Sequence, residues 1–501
     1  MPVELLSPDR IRDEHTVRVD FHKLSILGGP GCAILLYVAV PSTFLDGTGA
    51  VVDLEPRVRI VIAIAAWMAF WWITEAIPLA VTALLPVTLF PVLGLTSLKA
   101  AAESYAHPLI FLFLGGFLVS IALQKCGLHR RFAVSLLRRV GRDQARVVAG
   151  FMIVTAFLSM WISNTATALM MLPIALSVIG AQEKDSDFAK CLLLSLAYSA
   201  SIGGMATLIG TPPNLFVASY FTDVLGMEIG FARWMAVGIP CVAFLLPTAW
   251  LYLTRIHFSL SRNENSRVAD MAGSGLVWGE LDRGGRSTLL VFCALVLCWI
   301  IRPWIGDLMI FGALPLSGLS DTGIALLAAV SLFVIPVDFA RRKFVLDWPD
   351  TIEVPWGTLI LIGGGLSLAA TINVTGADEI IGLWISRMPF MTPIVMVALI
   401  VGLVIFLTEL TSNIATTATL VPVLASSAPL LFIKPDIVII VVALAASCAF
   451  MLPVATPPNA IIFATGRVSA QEMAAAGLAM NIFALVVISV VGYALIPLVL
   501  R

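Results

Sequence analysis

The sequence predicts an all-α, polytopic membrane protein of about eleven transmembrane helices and two re-entrant hairpins, arranged as two inverted repeats. Three observations predict this fold: an apolar composition, two apolar stretches that are each interrupted by a Ser-Asn step, and a set of motifs that recurs later in the chain. Of the 501 residues, 59% are hydrophobic and only 12% are charged. A soluble protein carries about twice that charged fraction, and about 20 apolar residues suffice to cross a bilayer.

The composition also argues against several classes of function. The formal net charge is -1 and no basic stripe occurs, so we expect no nucleic-acid partner. The seven cysteines form no CxxC motif and no Cys/His cluster, and we interpret them as small hydrophobic residues. The apolar segments contain no Ser/His, Cys/His or HExxH constellation, so the sequence predicts neither an enzyme nor a bound cofactor.

The distribution of positive charge predicts the orientation in a plasma (inner) membrane. Residues 1–22 are mixed in charge and are expected to form a soluble cytoplasmic segment, and a first span with an outer loop follows at 23–56. Lys and Arg are concentrated in three places: 125–146, 255–286 and 341–343. They are nearly absent from 44–56 and 306–320. Because positive loops stay inside, we expect a cytoplasmic N-terminus, a cytoplasmic linker at 255–286 and an outer C-terminus.

Two apolar stretches are broken at their middle by a Ser-Asn step. Residues 146–181 are interrupted at Ser163-Asn164, and residues 392–431 are interrupted at Ser412-Asn413. Each half is short for a straight crossing, so each stretch predicts a re-entrant hairpin whose tip lies at membrane depth. Exposed backbone at that depth is tolerated only where it lines a cavity.

The two Ser-Asn steps belong to a repeat. Ser163 and Ser412 are 249 residues apart, and two further pairs have the same offset: Ser159 with Thr408, and Gly115 with Gly364. Downstream, "IGTPPNL" and "VATPPNA" place Thr211 and Thr456 at an offset of 245. This order predicts a duplicated unit, with repeats at 57–254 and 287–499. The charge pattern places the first hairpin inside and the second outside, so the repeats are inverted, as in secondary transporters with a midplane site.

The chemistry of a broken helix explains why polar residues occur at these positions. Freed carbonyls, hydroxyls and the Asn oxygen are hard ligands that suit Na+, whereas freed amides at a helix start suit an anion. The paired prolines of each TPPN step also break a helix, which predicts unwound loops at 209–214 and 453–459. Each repeat therefore contributes one tip and one loop to a shared centre.

Other interpretations of the polar residues stay open at this point. A single Ser or Asn in a membrane segment often serves helix packing, but repetition at matched spacing favours a site. The intramembrane acids Glu75 and Glu409 either carry protons or anchor backbone or a cation near the hairpins.

Five motifs resemble the divalent anion/sodium symporter family of sodium-coupled dicarboxylate, citrate and sulfate transporters: "WITEAIPLAVTALLPV", "SMWISNTATALMMLP", "GTPPN", "TELTSNIATTATLVPV" and "ATPPN". The resemblance covers nearly the whole chain beyond residue 50. It implies a homodimer in which a scaffold domain dimerises and a transport domain, which carries the hairpins, moves like an elevator. It also implies two sodium sites near the hairpin tips, with the substrate carboxylates between them.

The resemblance assigns roles to particular residues. A first sodium site would use Ser159, Ser163, Asn164 and the carbonyl of Gly210. A second sodium site would use Thr408, Thr411, Ser412, Asn413 and Ala455. The substrate would contact Asn164, Thr165, Thr211, Asn413 and Thr456. The sequence departs from the family pattern at Ile414, where the second motif usually has Thr.

The resulting hypothesis is Na+-coupled import of a C4-dicarboxylate such as succinate, malate or fumarate. The expected partners are the dicarboxylate, Na+ as coupling ion, the lipid bilayer and a second copy of the chain. Alternatives within the family are a sodium-independent exchanger of dicarboxylates or other anions, and a sulfate or citrate symporter. The sequence lacks the catalytic residues that an intramembrane enzyme requires. It also lacks the repeated filter sequence of an ion channel.

Overall fold

The computed structural model describes residues 8–45, 51–137, 143–180, 186–260, 281–305, 318–377, 392–431 and 433–500. Most of these residues are helical, as the composition predicts. Parts of several expected features lie outside the described residues: 1–7 of the N-terminal segment, 46–50 of the first outer loop, 138–142 of the positive segment 125–146, 261–280 of the linker, 306–317 of the outer loop 306–320, and 378–391 of the second repeat.

The first half of the chain begins with one long helix, which joins part of the predicted N-terminal segment to the first apolar stretch: Pro8–Ala39. The helices that lead to the first hairpin are Pro56–Thr74, Leu79–Thr82, Leu85–Val92, Leu98–Glu103, the 3-10 turn Ser104–Ala106, Pro108–Lys125 and Leu128–Leu137. The first hairpin and the helices after it are Gln144–Ser159, Asn164–Ile179, Asp187–Gly204, Pro212–Leu225 and Phe231–Tyr252, with a π-helical turn at Leu253–His257.

The second half repeats this order of elements. The helices that lead to the second hairpin are Arg283–Ile305, Asp321–Val334, the 3-10 helix Trp348–Glu353 and Trp356–Thr375. The second hairpin and the elements after it are Pro393–Thr408, Asn413–Ser427, the 3-10 turn Ala428–Leu431, Pro435–Ala446, Pro457–Phe463, Ala470–Ala494 and Ile496–Val499. Two short antiparallel strand pairs occur in loops: Thr43–Leu45 with Val51–Asp53, and Pro336–Asp338 with Lys343–Phe344.

The longest apolar helices differ from the hairpin arms in length. Within the described ranges, six helical segments are long and apolar enough to cross a membrane, and seven further apolar helices are shorter. The four hairpin arms have 15 or 16 residues each, which is below the length of a full crossing. The total of eleven crossings stays a prediction.

Two central helices form the interior. Residues 191–204 of the helix Asp187–Gly204 are all buried, and so are residues 437–446 of the helix Pro435–Ala446. A helix that is apolar on every face is expected inside a bundle rather than at its surface. Each central helix packs against the arms of the hairpin in its own half, so the two tips are held at the same depth as the breaks that follow these helices.

Candidate functional site

A cavity of about 790 Å3 lies where the two hairpin tips meet the two unwound loops. We call residues 160–165 the first tip, 409–414 the second tip, 205–211 the first loop and 447–456 the second loop. Both loops begin before the predicted ranges 209–214 and 453–459 and end earlier, because each proline pair starts the next helix. Ten of the residues predicted for the site line the cavity: Ser163, Asn164, Thr165, Gly210, Thr211, Thr411, Ser412, Asn413, Ala455 and Thr456. The structure therefore brings together residues from both halves of the sequence.

The remaining two predicted residues, Ser159 and Thr408, are fully buried behind the tips. The Ser159 Oγ lies 2.6 Å from the Asn164 Oδ1 and 2.6 Å from the carbonyl oxygen of Ala200. A hydroxyl has one hydrogen, so it donates to only one of these two oxygens at a time. The three oxygens thus form a cluster with a single hydrogen between them, and such a cluster of hard ligands suits a small cation.

The second half contains the same arrangement. The Thr408 Oγ1 lies 2.9 Å from the Asn413 Oδ1 and 3.0 Å from the carbonyl oxygen of Ala446. In both clusters the asparagine oxygen faces the buried hydroxyl. Within the described residues, the Nδ2 amides of Asn164 and Asn413 have no hydrogen-bond partner, so each remains a potential donor towards the cavity.

Each tip is also the start of a helix. Ser163 is the N-cap of the helix Asn164–Ile179, and its Oγ accepts from the amide of Ala166. Ser412 occupies the same position before Asn413–Ser427, and Thr211 precedes Pro212–Leu225. Three helices of 14 to 16 residues therefore direct their positive ends at the cavity.

The asparagine of each TPPN step fixes the shape of its loop, a role that sequence reasoning missed. The Asn214 Nδ2 donates to the carbonyls of Gly204, at 3.1 Å, and Thr207, at 2.8 Å. The Asn459 Nδ2 donates to the carbonyls of Ala449 and Leu452, at 3.1 and 3.0 Å. The recurrence of this asparagine in both TPPN steps was the sequence signal that could have indicated this role.

Glu409 anchors the second loop. Glu409 is only 3% exposed, and its carboxylate accepts from the backbone amides of Phe450, Met451 and Leu452 at 2.7 to 2.9 Å. The Nδ2 of Asn481 donates to it as well, at 2.7 Å. These contacts agree with the interpretation of Glu409 as a backbone anchor.

The charged residues at the cavity are acidic. Among its described lining residues are Glu75 and Glu353, and none is Lys or Arg. Glu75 ends the helix Pro56–Thr74 in a left-handed conformation, with φ 47° and ψ 37°. An anion at the tips would therefore meet hydroxyls, amides and helix ends rather than a basic side chain.

Comparison with known proteins gives consistent results. Residues 69–445 match the family model described as a citrate transporter. A protein of Staphylococcus saprophyticus named sodium-dependent dicarboxylate transporter SdcS is 39% identical over 460 residues, which is 89% of this chain and 88% of that protein. A Staphylococcus aureus protein of the same name is 38% identical over 467 residues, with the same coverage.

One solved structure shares the fold at low sequence identity. The YdaH transporter of Alcanivorax borkumensis matches with a TM-score of 0.57 and 12% identity. The match covers 94% of this chain and 97% of that one.

Proposed function

Because the chain belongs to the divalent anion/sodium symporter family of membrane transporters, we propose that it couples Na+ to the uptake of C4-dicarboxylates. The observation that carries the proposal is the pair of oxygen clusters behind the tips, beside a cavity whose described lining contains no basic residue. A dianion bound there requires a source of positive charge, and bound Na+ supplies it. The names of the staphylococcal relatives support the same ion and the same substrate class.

In this proposal the two sodium ions occupy equivalent positions in the two halves. The first ion is held by Ser159, Ser163, Asn164 and the Gly210 carbonyl. The second ion is held by Thr408, Thr411, Ser412, Asn413 and the Ala455 carbonyl. When Na+ is bound, the asparagine oxygen and the buried hydroxyl of each cluster both direct lone pairs at the ion, and the hydroxyl hydrogen turns to the remaining carbonyl.

The substrate then lies between the two tips. Each asparagine that gives its oxygen to an ion gives its Nδ2 hydrogens to a substrate carboxylate, together with hydroxyls from Thr165, Thr211 and Thr456. The positive ends of the helices that start at the tips add to the attraction. One residue therefore contacts both the ion and the anion in each half, which makes binding of one dependent on the other.

The proposed movement is an elevator motion of the hairpins together with the central helices. On the opposite wall, the cavity is lined by Phe117, Ser120 and Gln124 of the helix Pro108–Lys125, and by Pro355 and Thr358. Gln124 adjoins the positive segment 125–146, and Glu353 ends the 3-10 helix whose Asp350 pairs with Lys125 of that segment. Because this segment predicts the cytoplasmic side, we interpret this conformation as one that faces inward. The fixed wall would belong to the scaffold, through which two copies form a homodimer.

We expect uptake of labelled succinate into proteoliposomes to require an inward Na+ gradient. The dependence on Na+ concentration is expected to be sigmoidal, because two ions bind in two clusters. If more than two Na+ accompany each dianion, uptake is also expected to carry positive charge inward. The measurement compares initial rates in sodium and choline buffers, with membrane potential clamped by potassium and valinomycin.

The same assay separates the alternatives. Equal uptake in sodium and choline that requires dicarboxylate inside the vesicles would contradict symport and establish exchange. Na+-dependent uptake of citrate or sulfate in place of succinate would assign a different substrate of the same family. The proposed roles of the oxygen clusters in Na+ binding would be unaffected.

A further inference from the structure

The third residue of each tip differs between the two halves. Thr165 follows Asn164 in the first tip, and Ile414 follows Asn413 in the second tip. Both side chains line the cavity, and both are partly exposed to it. A dicarboxylate held by the two asparagine amides therefore has a hydroxyl on one flank and a branched apolar side chain on the other.

Two further apolar side chains extend the flank that Ile414 begins. Leu410 is 70% exposed and Val454 is 82% exposed, and both line the cavity. We call Leu410, Ile414 and Val454 the apolar flank. These three aliphatic side chains all come from the second half of the chain, and all line the cavity.

The corresponding surface of the first half is much less exposed, although Ile209 also lines the cavity. The counterparts of Leu410 and Val454 are Trp161 and Ile209, which are 8% and 7% exposed. Trp161 packs against the rings of Phe231 and Phe292, with centroids 6.1 and 5.2 Å away, and so presents little surface to the cavity. The second half therefore exposes more aliphatic surface beside its tip than the first half does, although the two halves share their motifs.

We infer that the site takes C4-dicarboxylates that carry an apolar substituent on carbon 2, in preference to those that carry a hydroxyl there. This inference rests on the proposed function and specifies its substrate class. An apolar substituent that contacts the apolar flank is removed from water, and this burial of apolar surface favours binding. A hydroxyl on the same side would lose its water without gaining a partner, because the flank offers no donor or acceptor. The volume of about 790 Å3 is ample for the added group.

The test compares 2-methylsuccinate with malate as inhibitors of labelled succinate uptake at saturating Na+. In the wild-type protein we expect methylsuccinate to inhibit about fourfold more strongly than succinate, because one methylene group is buried, and more strongly than malate. Malate inhibiting more strongly than methylsuccinate would overturn the inference.

Two substitutions of equal shape isolate the polarity of the flank. Ile414→Val keeps the position apolar, and Ile414→Thr replaces one methyl of that valine by a hydroxyl. We expect Ile414→Val to keep the preference for methylsuccinate and Ile414→Thr to shift it towards malate. The ratio of inhibition by methylsuccinate to inhibition by malate is measured within each variant, so it does not depend on the amount of active protein. Equal ratios in the two variants would also overturn the inference.

The outcomes separate this inference from the proposed function. Na+-dependent uptake of succinate with malate as the better inhibitor would refute only the inference. A complete absence of succinate uptake by the wild-type protein would refute the proposed function, and the inference with it.

Discussion

Replacing either Asn164 or Asn413 with alanine is expected to abolish transport. Each asparagine gives its Oδ1 to a cluster with a buried hydroxyl and has an Nδ2 amide that is unpartnered within the described residues. The substitution therefore removes one ligand from an ion and one donor from the substrate. Hydrogen bonds to charged groups contribute about 1.5–3 kcal/mol each, so the loss of both lowers uptake by more than about 100-fold.

The measurement is the initial rate of Na+-driven succinate uptake, normalised to protein that elutes as a single species from size-exclusion chromatography. Ser177→Ala is the matched control, because Ser177 lies on the same hairpin arm but is exposed and distant in sequence from the tip. We expect that variant to retain most of the wild-type rate. Near-normal uptake by both asparagine variants would show that the tips serve packing rather than binding.

Replacing Glu409 with alanine is expected to cost both stability and transport. The carboxylate satisfies three consecutive backbone amides of the second loop and the side-chain amide of Asn481. Each buried donor that is left without a partner costs about 1–3 kcal/mol. We therefore expect a lower Tm in detergent, together with a loss of uptake, because the loop that carries Ala455 and Thr456 is no longer held in place.

Glu75→Ala provides the comparison for that result. Glu75 also lies near the cavity, but it is exposed and makes no recorded hydrogen bond within the described residues. Its removal is expected to leave Tm within about 2 °C of the wild-type value, as for a surface substitution. An unchanged Tm in Glu409→Ala, or an equal decrease in both variants, would contradict the role of Glu409 as an anchor.

The parts of the site that were predictable from the sequence are those with local signals. A Ser-Asn step in an apolar stretch and a pair of prolines each break a helix regardless of the rest of the fold. The constant offset between the halves then identified Ser159 and Thr408, although they do not line the cavity. The family resemblance supplied their expected roles, which stay predictions.

The partners of Glu409 were not predictable in the same way. They lie 41 to 72 positions further along the chain, so only the packing of the second hairpin against the helices Pro435–Ala446 and Ala470–Ala494 brings them together. The contrast between the apolar flank and the buried Trp161 likewise depends on which surfaces the surrounding helices cover. The number of membrane crossings was not predictable from the sequence for a related reason. Short buried helices and hairpin arms have the same apolar composition as membrane spans.

The most direct test of coupling measures radiolabelled Na+ and radiolabelled succinate in the same proteoliposomes. We expect both labels to accumulate together, with at least two Na+ for each succinate. We also expect Ser159→Ala and Thr408→Val, which each remove one buried hydroxyl from an oxygen cluster, to raise the Na+ concentration needed for half-maximal uptake. Succinate accumulation without entry of labelled Na+, at the same rate in the wild-type protein and in both variants, would contradict Na+ coupling through these clusters.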